Sequence, residues 1–353
     1  MAGTARRAAT ATIVVIAIVV AALALWKIKI VIALLLLGFI IAAAMRPGIE
    51  WLCRRRVPRG AGVAIHYLAL AGVVALLLWL VVPRAITQTT AAIGAVPTSS
   101  KELKHEAATS TGIKHEILVG VQKRLEKLPS GSDLVHPAIT VTLTAFEVII
   151  GIFFAFAVGA YWIFERPRAV DVVVSLLPRH RRRVVRDTWD LIDLKLGAYV
   201  RGSLILVALV ATLLSLSFWI IGLPYWLLVG VFAGIVEMVP VVGPLAAGAL
   251  AIGVGLTVSW HMALAAGIAV FVVRMAEDYV IIPRVMGHAV GLSPLVVLVS
   301  VTAIGFLLGG FYVLLSTPIA AVIATLVDVA VLNKDPARQE VPAVLFPAKD
   351  AEG

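Results

Sequence analysis

Apolar runs long enough to cross a bilayer recur along this chain and leave few folds open to it. They cover Ala11 to Trp26, Ile28 to Met45, about Ala61 to Val82, about Ile139 to Phe164 and about Ser203 to Ile221. Roughly 20 apolar residues suffice to span the hydrocarbon core as a helix. Of 353 residues, 61% are hydrophobic and only 14% charged, and a mean hydropathy of +1.04 is more than a soluble domain could hide from water. The expected fold is all-α, a polytopic helical membrane protein with about eight full or broken transmembrane spans. The formal charge of +10 is concentrated in two short stretches between helices, so it bears on membrane orientation and argues against a nucleic-acid partner. Cys53, the single cysteine, permits no internal disulfide and no zinc-ligand spacing. Beside Trp51 and Leu52 it reads as a small buried hydrophobe.

The first run follows Arg6 and Arg7 and contains Ala22-Leu23-Ala24, a pattern shared with cleaved signal peptides. The second run begins almost at once, after Lys27 and Lys29, and the two are read as a tight transmembrane hairpin retained in the protein. Residues 46–60 carry Arg46, Arg54, Arg55, Arg56 and Arg59 against Glu50, and Glu165 to Arg201 carries nine basic residues against five acids. Positive residues in short loops favour the cytoplasm, so both stretches and both termini are expected there, in the bacterial inner membrane. The arginines are suited to anionic lipid. The chain divides into an N-terminal hairpin with a third span (1–83), an extracytoplasmic segment (84–138), a span (139–164), a basic cytoplasmic helical segment (165–201), a C-terminal transport core (202–332) and a short, Pro-bearing tail (333–353) expected to be mobile.

Within the extracytoplasmic segment, Ile113, Ile117, Val121, Leu125 and Leu128 mark one face of an amphipathic helix. Lys104-His105-Glu106 recurs as Lys114-His115-Glu116, but ten residues turn a helix by about 280°, which favours a solvated face over a paired-histidine metal site. Glu147 lies near one end of its span and is read as reaching the interface. Val185, Trp189, Ile192, Leu196 and Tyr199 follow the four-three spacing of a helix seam. His66, His261 and His288 read as structural.

Past Gly222-Leu223-Pro224 the apolar segments shorten. Tyr225 to Val239, Leu245 to Ser259 and Ser293 to Leu308 hold about 15 residues each, a rise of only about 22 Å as helix. Longer spans are expected over His261 to Ile282 and from about Phe311 to Leu332. Short pieces of this kind are re-entrant or halves of broken helices, and non-helical backbone survives at membrane depth only where it is buried or lines a cavity. Two clusters of charge fall in this region. In Glu237-Met-Val-Pro-Val-Val-Gly-Pro244, Pro240 removes a helical donor and Pro244 presets a turn, exposing a helix end near Glu237, a pathway or interfacial carboxylate. Gly243 lies in the same break. In the second, Arg274 precedes Glu277 and Asp278 by three and four residues, close enough on a helix to pair with both. One negative charge remains, to be matched by a proton, a cation or a group such as Arg284. A coupling site or gate and a structural ion pair are both compatible with that arrangement. Gly248, Gly253, Gly255, Gly305, Gly309 and Gly310 read as close helix packing. There is no HExxH helix, no GxSxG elbow and no nucleotide-binding Gly-rich loop, so the chain reads as a non-enzyme without a cofactor.

The run Glu277-Asp-Tyr-Val-Ile-Ile-Pro283-Arg284-Val-Met-Gly287, with Val290-Gly-Leu-Ser-Pro294 and Pro318, resembles the signature of the autoinducer-2 exporter (AI-2E) family, also called PerM-like permeases. Glu237 to Pro244 resembles its other signature, and Gly197-Ala-Tyr-Val-Arg-Gly202 its entry into the following span. The resemblance covers about residues 10 to 332. Asp278 stands where the family usually has Asn, and Arg274 where a neutral polar residue is common, two departures that can compensate each other. Tyr312, Ser316 and Thr317 also depart from it. The resemblance implies a homo-oligomeric transporter, with a pentamer as one candidate assembly, that exports the quorum-sensing signal autoinducer-2 in some members and exchanges sodium or lithium for protons in others. The transport residues it points to are Glu237, Pro240, Gly243, Pro244, Arg274, Glu277, Asp278, Pro283, Arg284 and Gly287. Three functions follow as expectations: export of a small polar molecule, cation/proton antiport, or a membrane scaffold or regulator built on residues 84–137.

Overall fold

The computed structural model describes residues 2–93, 135–285 and 291–339, together with 341 and 344. Among these residues every regular element is helical. The chain opens with α1 (Ala2–Lys27) and α2 (Lys29–Arg54), separated by Ile28 alone. Ile28 N–H donates to Ala24 O (3.1 Å) and Ile32 N–H to Ile28 O (3.1 Å), so helical bonding continues through the junction. The two apolar runs form one bent rod and not the expected hairpin. A reversal needs several residues outside helical geometry, and the stretch from Trp26 to Ile30 has no Gly or Pro to supply them.

Next come α3 (Arg59–Ile93) and α4 (Val135–Ser175). The amphipathic face from Ile113 to Leu128 and the histidines His105 and His115 lie outside the described residues. Glu147, on α4, is exposed, like its apolar neighbours Phe146, Val148 and Ile149. Helix α5 (Arg182–Ile220) joins the basic stretch and the fifth span in one 39-residue element. No proline interrupts it, and Gly197, which would weaken an isolated helix, lets α5 approach α2: a Cβ there would come within 2.4 Å of Ala43 O. The predicted seam packs as expected, with Ile192 and Leu196 set against Ala33, Ile40 and Ala43. The Trp189 ring stacks at 6.0 Å on Trp162, which in turn meets Phe39 at 4.3 Å.

After Gly222 (φ 73°) and Tyr225 (φ 57°) the helices shorten to α6 (Trp226–Val236), α7 (Val242–Leu256), α8 (Trp260–Ala276), α9 (Ile282–Val285), α10 (Pro294–Leu308), α11 (Gly310–Val313) and α12 (Ser316–Ala330). Ser259 and Ser293 start α8 and α10 by accepting from Met262 N–H and Val296 N–H. The expected span from Phe311 to Leu332 is broken between α11 and α12. The helix expected over His261 to Ile282 loosens to π pitch over Glu277–Ile281. Phe218, Ala233, Ala251 and Ala266 form the core in which α5, α6, α7 and α8 meet. Of the glycines read as packing residues, Gly255 and Gly305 fit that reading, since an added Cβ would lie 2.6 Å from Ala263 Cα and 3.0 Å from Val313 Cγ2, whereas Gly253, Gly309 and Gly310 face open space. Closer approaches occur at Gly230 and Gly234 of α6, pressed onto Ser215, Ala211 and Val207 of α5.

Both basic stretches lie at one end of the bundle. Arg46 reaches Glu50 (2.6 Å) and Asp193 (3.7 Å), while Arg166 pairs with Asp190 and Asp193. Among the described residues four segments suit a membrane crossing by length and composition, Lys29–Arg54, Arg59–Val81, Phe146–Ser175 and Arg179–Ile220. Together with the shorter apolar helices they make this a polytopic helical membrane protein. The described residues of the tail differ from the expected loose end. Asn333 (φ 52°) turns the chain, Pro336 is buried, and the segment lies along α5.

Candidate functional site

The break between α6 and α7 is held open by its sequence. Glu237 caps α6, Pro240 cannot donate a backbone bond, and Val241 is driven to φ 69°, ψ −49°. Val242 N–H donates to Pro240 O (2.8 Å), closing a tight three-residue turn. A β-branched residue in this conformation is strained, and such strain persists only where its surroundings impose it. Gly243 is one such constraint: a Cβ there would lie 2.2 Å from Val236 O and 2.9 Å from Glu237 Cα. Pro244 does not preset the turn as expected. It falls in the first turn of α7, where a missing N–H costs little.

Across from this break, α8 delivers Arg274. Its Nη1 donates to Glu237 Oε1 (2.9 Å) and Glu277 Oε2 (3.1 Å), and its Nη2 lies 2.9 Å from Asp278 Oδ1. The Glu277 and Glu237 side chains are 3% and 9% exposed, against 32% for Arg274 and 36% for Asp278. One guanidinium thus holds three carboxylates, two of them buried. The sequence reading had kept Glu237 apart from this cluster. The π turn begins at Glu277, and a local loosening of this kind is frequent at functional sites.

Glu237, Pro240, Arg274 and Glu277 line a cavity of about 380 Å³, with Tyr199, Ser203, Leu206 and Val207 of α5 and Leu292, Pro294 and Thr317 on other walls. Gly243 and Pro244, in the break, and Asp278, in the cluster, do not line the cavity. Pro283 and Arg284 are exposed and do not line the cavity. Gly287 and His288 lie outside the described residues. Sequence reasoning missed the hydroxyls of Tyr199, Ser203 and Thr317. The only available signals were the i, i+4 spacing of Tyr199 and Ser203, and the position of Thr317 just before Pro318. His66 binds the carbonyl of Gly62 (2.8 Å) and His261 stacks on Trp260, both structural arrangements. Among the described residues no group of three or more His, Cys, Asp or Glu is placed to hold a metal ion.

The AI-2E family transporter profile matches residues 13–332. YrrI of Bacillus subtilis (strain 168), described as a candidate transport protein, is 23% identical over 305 residues, covering 84% of this chain and 85% of its own. YueF of the same organism, described likewise, is 27% identical over 285 residues, 77% of each chain. MT0215 of Mycobacterium tuberculosis (strain CDC 1551 / Oshkosh), a third candidate transport protein, is 24% identical over 310 residues, 84% of this chain and 82% of its own. The chain belongs to the AI-2E transporter family.

Proposed function

We propose that this protein is a secondary transporter, and not an enzyme, that exports a small polar solute through the cavity between α5 and the α6–α7 break, with autoinducer-2 the candidate taken from the family. The observation that carries this reading is the meeting of both family signatures on that one cavity, Glu237 and Pro240 from the first with Arg274 and Glu277 around the second. Apolar walls with a few convergent polar groups suit a small ligand. Short apolar helices separated by a break suit alternating access. Antiport of a cation against protons is the second reading, favoured by three carboxylates sharing one guanidinium. Purified protein in liposomes separates the two. Accumulation of labelled autoinducer-2 without sodium-driven proton movement supports export, proton movement on a sodium gradient supports antiport, and neither flux refutes both. The cytoplasmic placing of the basic end and of the termini, and a homo-oligomeric assembly, belong to the same proposal.

A further inference from the structure

The described tail residues climb α5 in register. Lys195 Nζ donates to Gln339 Oε1 (3.0 Å) and to Thr325 Oγ1 of α12 (3.2 Å). One turn on, Ala198 is fully buried against Val344, with Val341 and Ile205 packed around them. Another turn on, Arg201 Nε donates to Val344 O (2.9 Å), and its Nη1 to Ala44 O (3.1 Å) and Ala43 O (3.5 Å) of α2. Arg201 is 6% exposed, and its described partners are carbonyl oxygens of α2 and the tail. At 100° per residue, Ala198, Arg201 and Ile205 fall on the face of α5 turned away from Tyr199, Ser203 and Val207, which line the cavity. The helix is therefore held between the cavity on one side and the tail with α2 on the other.

We propose that the described tail residues, 334–339 with 341 and 344, form a releasable wedge behind α5. Seated, the wedge fixes the cavity wall that carries Tyr199 and Ser203. Withdrawn, it leaves room for α5 to retract and opens that wall toward the basic end of the bundle. The binding chemistry fits a latch better than a permanent joint: one guanidinium-to-carbonyl bond, one amine-to-amide bond and a small apolar contact. This inference rests on the cavity reading above, but its test needs no transported solute, so a failure to find the solute leaves it intact.

The test follows alkylation of Ser203→Cys by N-ethylmaleimide in the full chain carrying Cys53→Ser, in detergent. Two variants unseat the wedge: Val344→Asp, which puts a charge into the apolar contact, and truncation after Asn333. Both are expected to raise the labelling rate by about tenfold with the unfolding temperature nearly unchanged, as for a local opening. Unchanged rates in both variants overturn the proposal. A rise confined to the truncated chain and accompanied by a marked fall in unfolding temperature also overturns it, since the tail is then a brace on the whole fold.

Discussion

Replacing Arg274 with Gln removes the only cation that, among the described residues, pairs with Glu237, Glu277 and Asp278. Glutamine can still donate a hydrogen bond but carries no charge, so two nearly inaccessible carboxylates lose their counter-ion. Breaking a buried pair from one side costs about 3–5 kcal/mol, because the charge left behind keeps its desolvation penalty. The cost should depend on which acid remains. Adding Glu237→Gln removes a buried charge and should recover about 2 kcal/mol or more. Adding Asp278→Asn, which restores the family-like pattern, removes a charge whose side chain is 36% exposed and should recover about 1 kcal/mol or less. The assay is thermal unfolding of the detergent-purified protein, read as a double-mutant cycle for each pair. Strictly additive effects, or equal rescue by the two partners, would refute the burial-weighted account of this cluster.

Three further outcomes follow from the same geometry. Gly243→Ala places a methyl where Val236 O already stands, so α7 should be pushed from α6 at a cost of about 1–3 kcal/mol in unfolding measurements, with loss of the cavity's shape. Val241→Gly relieves the left-handed backbone and should stabilise the protein by about 1 kcal/mol, where a destabilisation would mean the valine side chain matters more than its strain. Cysteines at Arg56 and Ser175, without Cys53, should be labelled from the same side of the membrane by an impermeant thiol reagent, since Arg46 meets Asp193 between those stretches; labelling from opposite sides would contradict the bundle.

Features that depend on local residue type were legible in the sequence. The apolar runs announced the spans, the Val185 to Tyr199 spacing announced the α5 seam, and Pro240 announced the helix break, although Pro244, read with it as the turn, falls inside α7. Relations across long sequence distances were not legible. Glu237 and Arg274 lie 37 residues apart, and nothing in either cluster states that a single guanidinium serves both. The π turn at Glu277 was hidden because an extra residue per turn has no composition of its own. The hairpin expected at Ile28 came from run lengths, whereas backbone bonding there is helical on both sides. The tail looked loose by composition, but Arg201 and Lys195 offer it donors that only the folded α5 brings into line.

The most direct test of the central claim uses Ser203→Cys without Cys53, reconstituted in liposomes, with flux of autoinducer-2 and sodium-driven proton movement measured before and after a bulky thiol reagent is attached. If the cavity of about 380 Å³ is the path, whichever flux the unmodified protein shows should fall to background on modification and return when the adduct is reduced off. Full flux through protein whose introduced thiol is completely modified would contradict it.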